Sequence, residues 1–128
     1  MEPRFISWDT VLDLHTESLR LFGGSDGIRD RGMVESALAA AQNTYFYANG
    51  DLFDIAATYA FHNAQAQAFL DGNKRTGVAT ALLFLAENGF SRNPDAMDLY
   101  DAMIAIAEKR MTKGELAELL RVLIGIKD

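Results

Sequence analysis

The 128-residue sequence contains no cysteine. Disulfide bonds, catalysis by a thiolate and zinc sites built on thiolates are therefore excluded. Basic residues are also in the minority, since 12 Lys and Arg stand against 18 Asp and Glu and give a formal net charge of −6. A surface that binds nucleic acids over a wide area is not expected from this balance, so any contact with a nucleotide must come from a local basic patch.

Long apolar stretches are missing as well. No apolar run approaches the roughly 20 residues that a membrane-spanning helix needs, and the N-terminus lacks the apolar core of a signal peptide. We expect a cytoplasmic protein without membrane contact. The apolar fraction of 49% and the charged fraction of 23% are ordinary for a globular domain, and the length predicts one domain over residues 1–128.

Apolar residues recur at three- and four-residue spacing, which is typical of amphipathic helices. The pattern predicts an all-α fold, a bundle of about six helices around a buried central helix. The expected helices cover residues 8–22, 33–42, 51–68, 73–88, 93–109 and 115–124. Residues 43–50 are expected to form a loop or a small hairpin, because they end in an Asn-Gly pair. The helix over residues 73–88 is expected to be the central one, because its middle is apolar on all sides.

Residues 67–76 combine an acid, a glycine, an amide and two cations directly before that apolar helix. They read Gln67-Ala68-Phe69-Leu70-Asp71-Gly72-Asn73-Lys74-Arg75-Thr76. The first N–H groups of a helix lack intrahelical partners and attract anions. Lys74 and Arg75 lie in this turn, where cations are normally disfavoured, so a bound anion would offset their cost. Asp71 alone indicates a helix N-cap, but beside this turn it is suited to hold Mg²⁺ that bridges phosphates.

The same ten residues resemble the signature loop of the Fic/Doc family, which reads histidine-x-phenylalanine-x-acid-glycine or alanine-asparagine-lysine or glycine-arginine. The resemblance covers about residues 8–90, because further stretches look like those of death-on-curing toxins. These stretches are Leu21-Phe22-Gly23-Gly24-Ser25-Asp26-Gly27-Ile28-Arg29-Asp30, Glu35-Ser36-Ala37-Leu38, Tyr59-Ala60-Phe61-His62 and Leu82-Leu83-Phe84-Leu85-Ala86-Glu87-Asn88-Gly89. The family's fold is an all-α bundle, in agreement with the periodicity.

Two chemistries occur in the family. Members that transfer adenylyl groups carry a glycine before the motif arginine and a second arginine three residues after it. Here these positions hold Lys74 and Val78, which resembles the Doc branch, whose members move the γ-phosphate of ATP to a hydroxyl of elongation factor Tu and stop translation. The resemblance therefore implies a kinase that uses ATP and Mg²⁺, with adenylyl (AMP) transfer as an alternative.

The resemblance also assigns roles by position. Asp71 would hold Mg²⁺, and Gly72 and Asn73 would bind the phosphates. Lys74 and Arg75 would bind and neutralise the transferred group. An aromatic at the position of Phe69 is expected to anchor the loop to the core.

Gln67 stands where the family has its general-base histidine. Glutamine can orient a hydroxyl by accepting a hydrogen bond, but it does not take up a proton near neutral pH. A general base is typically worth about 10²–10⁴-fold in rate, whereas phosphoryl transfer depends mostly on positioning and charge neutralisation. Two alternatives stay open. Either the protein is an enzyme in which Gln67 orients the nucleophile, or it is a catalytically impaired member that binds its antitoxin as a regulatory module.

Neither histidine is expected to replace that base. His62 precedes Gln67 by five residues on the same expected helix, which places it about 140° around the axis. His15 lies in the apolar stripe of the first helix. Both are expected to be structural.

The resemblance implies two macromolecular partners besides the nucleotide. Tyr45, Phe46 and Tyr47 lie where the family has a flap that aligns the target, or they pack against the core. A Phd-like antitoxin would silence the toxin by folding its disordered tail into a groove. Met97, Met103 and Met111 are either part of such a groove or core fillers. Residues 27–31 either donate a cation to the site or form a solvated loop.

Overall fold

The computed structural model describes residues 2–66, 68–94 and 96–125. Within these ranges the chain forms six α-helices and no β-strand. The helices are α1 (Trp8–Phe22), α2 (Arg31–Phe46), α3 (Leu52–Ala66), α4 (Asn73–Glu87), α5 (Ala96–Ala107) and α6 (Lys113–Ile124). The predicted all-α bundle is thus confirmed. None of these helices, over the described part of the chain, is long and apolar enough to cross a membrane.

The central helix is α3. It packs against α2, α4, α5 and α6, and residues 55–60 are buried at every position. This corrects the expectation that residues 73–88 form the central helix. The apolar surface of α4 is divided, because one side packs on α3 and α1 while Val78 and Leu82 are only partly buried beside a groove next to α5.

The end of α2 also differs from the sequence prediction. Residues 43–46 continue the helix instead of forming a loop or hairpin. Asp30 caps its start by accepting a hydrogen bond from the N–H of Met33, and the alanine-rich middle favours helix. Tyr45 and Phe46 then pack against Phe5, with ring centroids 6.0 Å apart in both pairs. These contacts are tertiary, so they stabilise the last turn without leaving a signal in the local sequence.

The segment before α1 is tied to the core. The backbone N–H of Ile6 donates to the hydroxyl of Tyr59 over 3.0 Å, and burial raises the pKa of that hydroxyl to about 12. Asn88, just after α4, exchanges two hydrogen bonds with the backbone of Arg4, at 2.9 and 3.1 Å. Both attachments hold the start of α1 on the bundle.

A further set of hydrogen bonds joins α6 to the start of α3. Arg121 donates to both carboxylate oxygens of Asp51, at 3.0 and 3.1 Å, and to Asp54 at 2.9 Å. Burial raises the pKa of Asp51, but hydrogen bonds from the backbone of Asp54 and from Arg121 outweigh it and hold the pKa below its ordinary value. A depressed carboxyl pKa stabilises the fold above the unfolded-state pKa, and this contribution is lost as the pH falls through the folded-state pKa.

We therefore predict that Arg121→Met lowers the free energy of unfolding at pH 7 by about 0.5–1 kcal/mol, because the pair is partly screened by solvent. The difference from wild type should shrink when the pH falls below about 4. Urea unfolding at both pH values, followed by circular dichroism, checks this. Arg20→Met is the matched control, since among the described residues Arg20 pairs with the exposed Glu17 on its own helix and with no other acid. An equal loss at both pH values would contradict the ionic origin.

Candidate functional site

The loop over residues 68–72 joins α3 to α4, and Gly72 is the N-cap residue of α4. Its φ of 80° and ψ of 16° lie in the left-handed region, which glycine adopts without strain. The first intrahelical bond runs from the N–H of Thr76 to the oxygen of Gly72. No side chain in the described part of the chain caps the N–H groups before it. The described residues therefore leave the positive end of α4 open to an anion.

Asp71 precedes the N-cap residue of α4 and is held in place by contacts with other segments. Its carboxylate Oδ2 accepts a hydrogen bond from the N–H of Ser25 over 2.8 Å, and its backbone oxygen accepts one from Nε2 of His15 over 2.7 Å. No hydrogen bond from the described residues reaches Oδ1. The carboxylate is thus not an N-cap, and it is exposed with one oxygen available.

Asn73 shapes the loop with its side chain. Its amide nitrogen donates to the oxygen of Phe69 over 2.9 Å, and its amide oxygen accepts from the N–H of Phe69 over 3.0 Å. This pair closes the loop onto the first turn of α4. The side-chain amide is therefore engaged in the fold, while the backbone N–H of Asn73 belongs to the uncapped helix end.

Phe69 anchors the loop to α1. Its side chain is only 1% exposed, and its ring is stacked on that of His15 with centroids 3.8 Å apart and planes 12° apart. Phe69 thus has the anchoring role expected from the sequence, and His15 is buried as expected for a structural histidine.

The two cations of the loop differ in their surroundings. Arg75 donates to Oγ of Ser18 over 2.9 Å and to the oxygen of Gly23 over 3.1 Å, and its Cζ lies 5.3 Å from the ring centroid of Phe22. All three partners belong to the C-terminal end of α1, where cations are favoured. Lys74 is half-buried and makes no hydrogen bond or ion pair with the described residues.

Residues 27–30 lie directly against the loop. Ile28 forms an isolated antiparallel bridge with Phe69, the N–H of Arg29 donates to the oxygen of Ala68 over 2.6 Å, and the N–H of Leu70 donates to the oxygen of Gly27 over 3.1 Å. This connection between α1 and α2 is therefore not simply a solvated loop. It is backbone that pairs with the loop.

Tyr45, Phe46 and Tyr47 do not lie beside the loop, which corrects their expected placement as a flap. Tyr45 and Phe46 pack on Phe5, whose ring centroid lies 6.3 Å from that of Phe84. Phe84 follows Asn73 by eleven residues on α4, a rise of about 16 Å. Tyr45 and Phe46 therefore form a cluster at the opposite end of α4, in agreement with the alternative of packing against the core, while Tyr47 is 84% exposed.

A groove of about 750 Å³ runs between α4 and α5 and reaches the two cations at one end. Val78 and Leu82 of α4 line it together with Met97 and Met103 of α5. Its walls are mostly apolar. Met111 packs against the core and is not among the residues that line the groove.

Neither histidine is placed to act as a base at the loop. His15 already uses Nε2 to donate to the backbone of Asp71. His62 lies near Lys113 at the start of α6, and burial followed by repulsion from Lys113 lowers its pKa. Gln67, the residue at the position of the base, lies outside the described residues.

Comparison with known proteins identifies the family of the chain. The model of the Fic/DOC family matches residues 5–85, which cover α1 to α3 and most of α4. The chain belongs to the Fic/DOC family. It is 34% identical over 123 residues to the Protein kinase doc of Escherichia phage P1, across 95% of this chain and 97% of the phage protein. It is also 38% identical over 79 residues to the Toxin Doc of Mycolicibacterium smegmatis, across 60% of this chain and 61% of that toxin.

The Fic/DOC loop has neighbours that the sequence reasoning did not find. These are His15 and Ser18 of α1 and the N–H of Ser25. Two signals pointed towards them. The pair Gly23-Gly24 permits the chain to approach the loop closely, since a Cβ atom at Gly24 would lie 3.1 Å from Cβ of Asp71. A histidine in an apolar stripe also requires a polar partner.

We predict that Asn73→Ala lowers the free energy of unfolding by about 1–3 kcal/mol, because the part-buried N–H and oxygen of Phe69 lose their partners. Amide hydrogen exchange at Phe69 should become faster at the same time. Urea unfolding and exchange measured by NMR check both effects. Asn88→Ala is the matched control, since it removes three similar bonds to the backbone at the other end of α4. If Asn88→Ala speeds exchange at Phe69 equally, the loop-closing role is contradicted.

Proposed function

We propose that this chain is a Doc-like toxin of a toxin–antitoxin pair, which uses ATP and Mg²⁺ to phosphorylate a hydroxyl of a translation factor such as elongation factor Tu and so blocks translation. One observation supports this most: the start of α4, which no described side chain caps, is flanked by Lys74, which no described residue pairs, and by the available Oδ1 of Asp71. The similarity to the Protein kinase doc over 95% of the chain adds to it.

The start of α4 suits the phosphates of a nucleotide. The N–H groups of the first turn are uncapped, and the helix dipole adds a positive partial charge. Lys74 supplies a full charge in the same turn, so a phosphate bound here would be neutralised from two sides. The start of α4 with Lys74 is thus the local basic patch that a nucleotide would need, since the chain as a whole is acidic.

The residues of the site fit magnesium better than a metal held by protein alone. Among the described residues no group of three or more metal-ligating side chains occurs. Mg²⁺ typically takes one or two carboxylates, phosphate oxygens and water, and Oδ1 of Asp71 would be the carboxylate ligand. When bound, the ion would withdraw charge from the phosphate oxygens.

In the proposed reaction the acceptor hydroxyl oxygen bonds to the γ-phosphorus as the bond to the β–γ bridging oxygen breaks. ADP leaves, and the hydroxyl proton passes to water. Lys74 neutralises charge on the transferred group, while Arg75 stays on the end of α1 and borders the site. Gln67 would orient the hydroxyl without taking its proton.

Residues 27–30 are the segment that we propose to align the target, in place of Tyr45–Tyr47. They pair with the loop along one edge, and Ile28 is exposed. An extended target segment could add to the other edge through backbone hydrogen bonds. This edge lies next to the loop that carries Asp71, which is where the acceptor hydroxyl has to arrive.

The groove between α4 and α5 is the proposed site for the tail of a Phd-like antitoxin. An amphipathic helix would lay its apolar face against Met97 and Val78. An acidic residue of that helix would reach Lys74 or Arg75 at the end of the groove. Binding there would occupy the cations that the phosphates require.

One feature favours a second candidate, a catalytically impaired member that acts only through its antitoxin. Gln67 replaces the base, and this loss lowers rates in enzymes that depend on it. Adenylyl transfer is less favoured, because Val78 lines the groove where such members have their second arginine.

We predict that the protein transfers label from γ-labelled ATP to purified elongation factor Tu only when Mg²⁺ is present. Lys74→Ala should lower the rate by about 10²-fold or more, because one preorganised cation is lost, and Asp71→Asn should abolish the Mg²⁺-dependent transfer, because the proposed carboxylate ligand of the ion is lost. Lys113→Ala is the matched control, since Lys113 is also half-buried but lies at the start of α6. Label in the absence of Mg²⁺, or equal loss in the control, would contradict the assignment.

A second prediction concerns Gln67. If its amide only orients the hydroxyl, the rate of label transfer should be constant between about pH 5.5 and 8. The rate of the Gln67→His variant should instead increase with pH, with a midpoint near the ordinary imidazole pKa of about 6.5. Initial rates over this range check the difference. A sigmoidal rise in the wild type would reveal another base. Label that appears only with Gln67→His would favour the impaired member.

A further inference from the structure

We propose that His15 of α1 is a positioning residue for the signature loop. Its Nε2–H donates to the backbone oxygen of Asp71, and its ring stacks on Phe69, so α1 sets the position of the carboxylate. In its catalytic consequence this inference rests on the proposed function. Its structural part stands on the contacts alone.

The direction of the hydrogen bond is fixed by chemistry. A carbonyl oxygen only accepts, so Nε2 of His15 must carry the hydrogen. The two atoms are 2.7 Å apart, and the side chain of His15 is 3% exposed. A hydrogen bond that is shielded from water in this way resists exchange with solvent and holds its partner firmly.

One ring contacts the loop on both sides of Leu70. Before Leu70 it stacks on Phe69, and after Leu70 it binds the oxygen of Asp71. It also borders Gly72, since a Cβ atom built there would lie 3.6 Å from Cδ2 of His15. The side chain of Leu70 is itself 46% exposed, so it does not anchor the loop.

Asp71 is consequently held at two points. His15 fixes its backbone oxygen, and the N–H of Ser25 fixes Oδ2 of its carboxylate. The two bonds together orient the Cα–Cβ direction and leave Oδ1 available. Without the bond from His15, the carboxylate would be held by Ser25 alone and could rotate with the backbone. Partners of this kind behind a metal-binding group typically matter about 10–100-fold in affinity or activity.

His15 acts through Asp71 and not as a proton acceptor. A base would need a ring nitrogen that faces the acceptor hydroxyl, whereas Nε2 faces the backbone. The ring is also covered on one face by Phe69. We therefore assign His15 the role of keeping the loop in place through Asp71 and Phe69.

Two substitutions separate the hydrogen bond from the bulk of the ring. His15→Gln keeps an N–H donor at a similar distance from the backbone, while His15→Leu fills the space without a donor. His62→Gln and His62→Leu are the matched controls, because His62 is a partly buried histidine beside Lys113 and not beside the loop. Unfolding by urea measures the general loss of stability in all four variants.

The first readout is amide hydrogen exchange at Ser25 and Leu70, whose N–H groups bond to Asp71 and Gly27. We expect His15→Leu to speed exchange at both amides beyond the change seen in the core of α3. His15→Gln should restore most of the protection. The second readout is label transfer with Mg·ATP, where His15→Leu should lose about 10–100-fold and His15→Gln should recover.

The outcomes distinguish this inference from the proposed function. If the wild type transfers no label, the kinase proposal fails, but exchange at Ser25 still decides the role of His15. If His15→Leu and His15→Gln speed exchange equally, or only as much as their loss of global stability explains, the positioning role is overturned. Equal effects from the His62 variants would overturn it as well.

Discussion

The left-handed turn at Gly72 is the constraint on which the site depends. It directs the chain from the loop into α4 and, as the N-cap, provides no side chain for the first N–H groups. It also places Asp71 outside the helix, where Ser25 and His15 bind it. A residue with a Cβ atom would be strained at this φ and would bring that atom within 3.4 Å of the guanidinium of Arg75. The uncapped start of α4 and the position of the Asp71 carboxylate outside the helix thus both follow from the left-handed conformation of Gly72.

The rest of the site is assembled on α1. This helix supplies His15 to the loop and Ser18 with Gly23 to Arg75, and the connection after it pairs with residues 68–70. The loop is therefore held from outside by backbone and buried groups, while its own exposed side chains stay available for ligands. This explains why α1, at the edge of the bundle, needs firm attachment through Ile6 and Tyr59.

The sequence was informative where a single segment determines the structure. The bounds of α1 follow from its apolar stripe and from Gly23, and the capping box of Thr112 and Glu115 marks the start of α6. The sequence failed where two distant segments decide. The central position of α3, the aromatic extension of α2 and the neighbours of Asp71 all depend on tertiary contacts, which no local pattern contains. The clustering of charges in the loop could be predicted because the charged residues are adjacent in the chain.

Two cations at a helix N-terminus are unfavourable, and the structure offsets this cost for Arg75 more than for Lys74. Arg75 is stabilised by the carbonyl of Gly23 and by the ring of Phe22 at the end of α1, so part of its cost is already offset within the fold. Lys74 has no such partner among the described residues and faces the groove. A cation left unbalanced beside uncapped N–H groups favours any anion that approaches both. Lys74 is therefore the residue through which a phosphate, or an acidic side chain in the groove, gains the most.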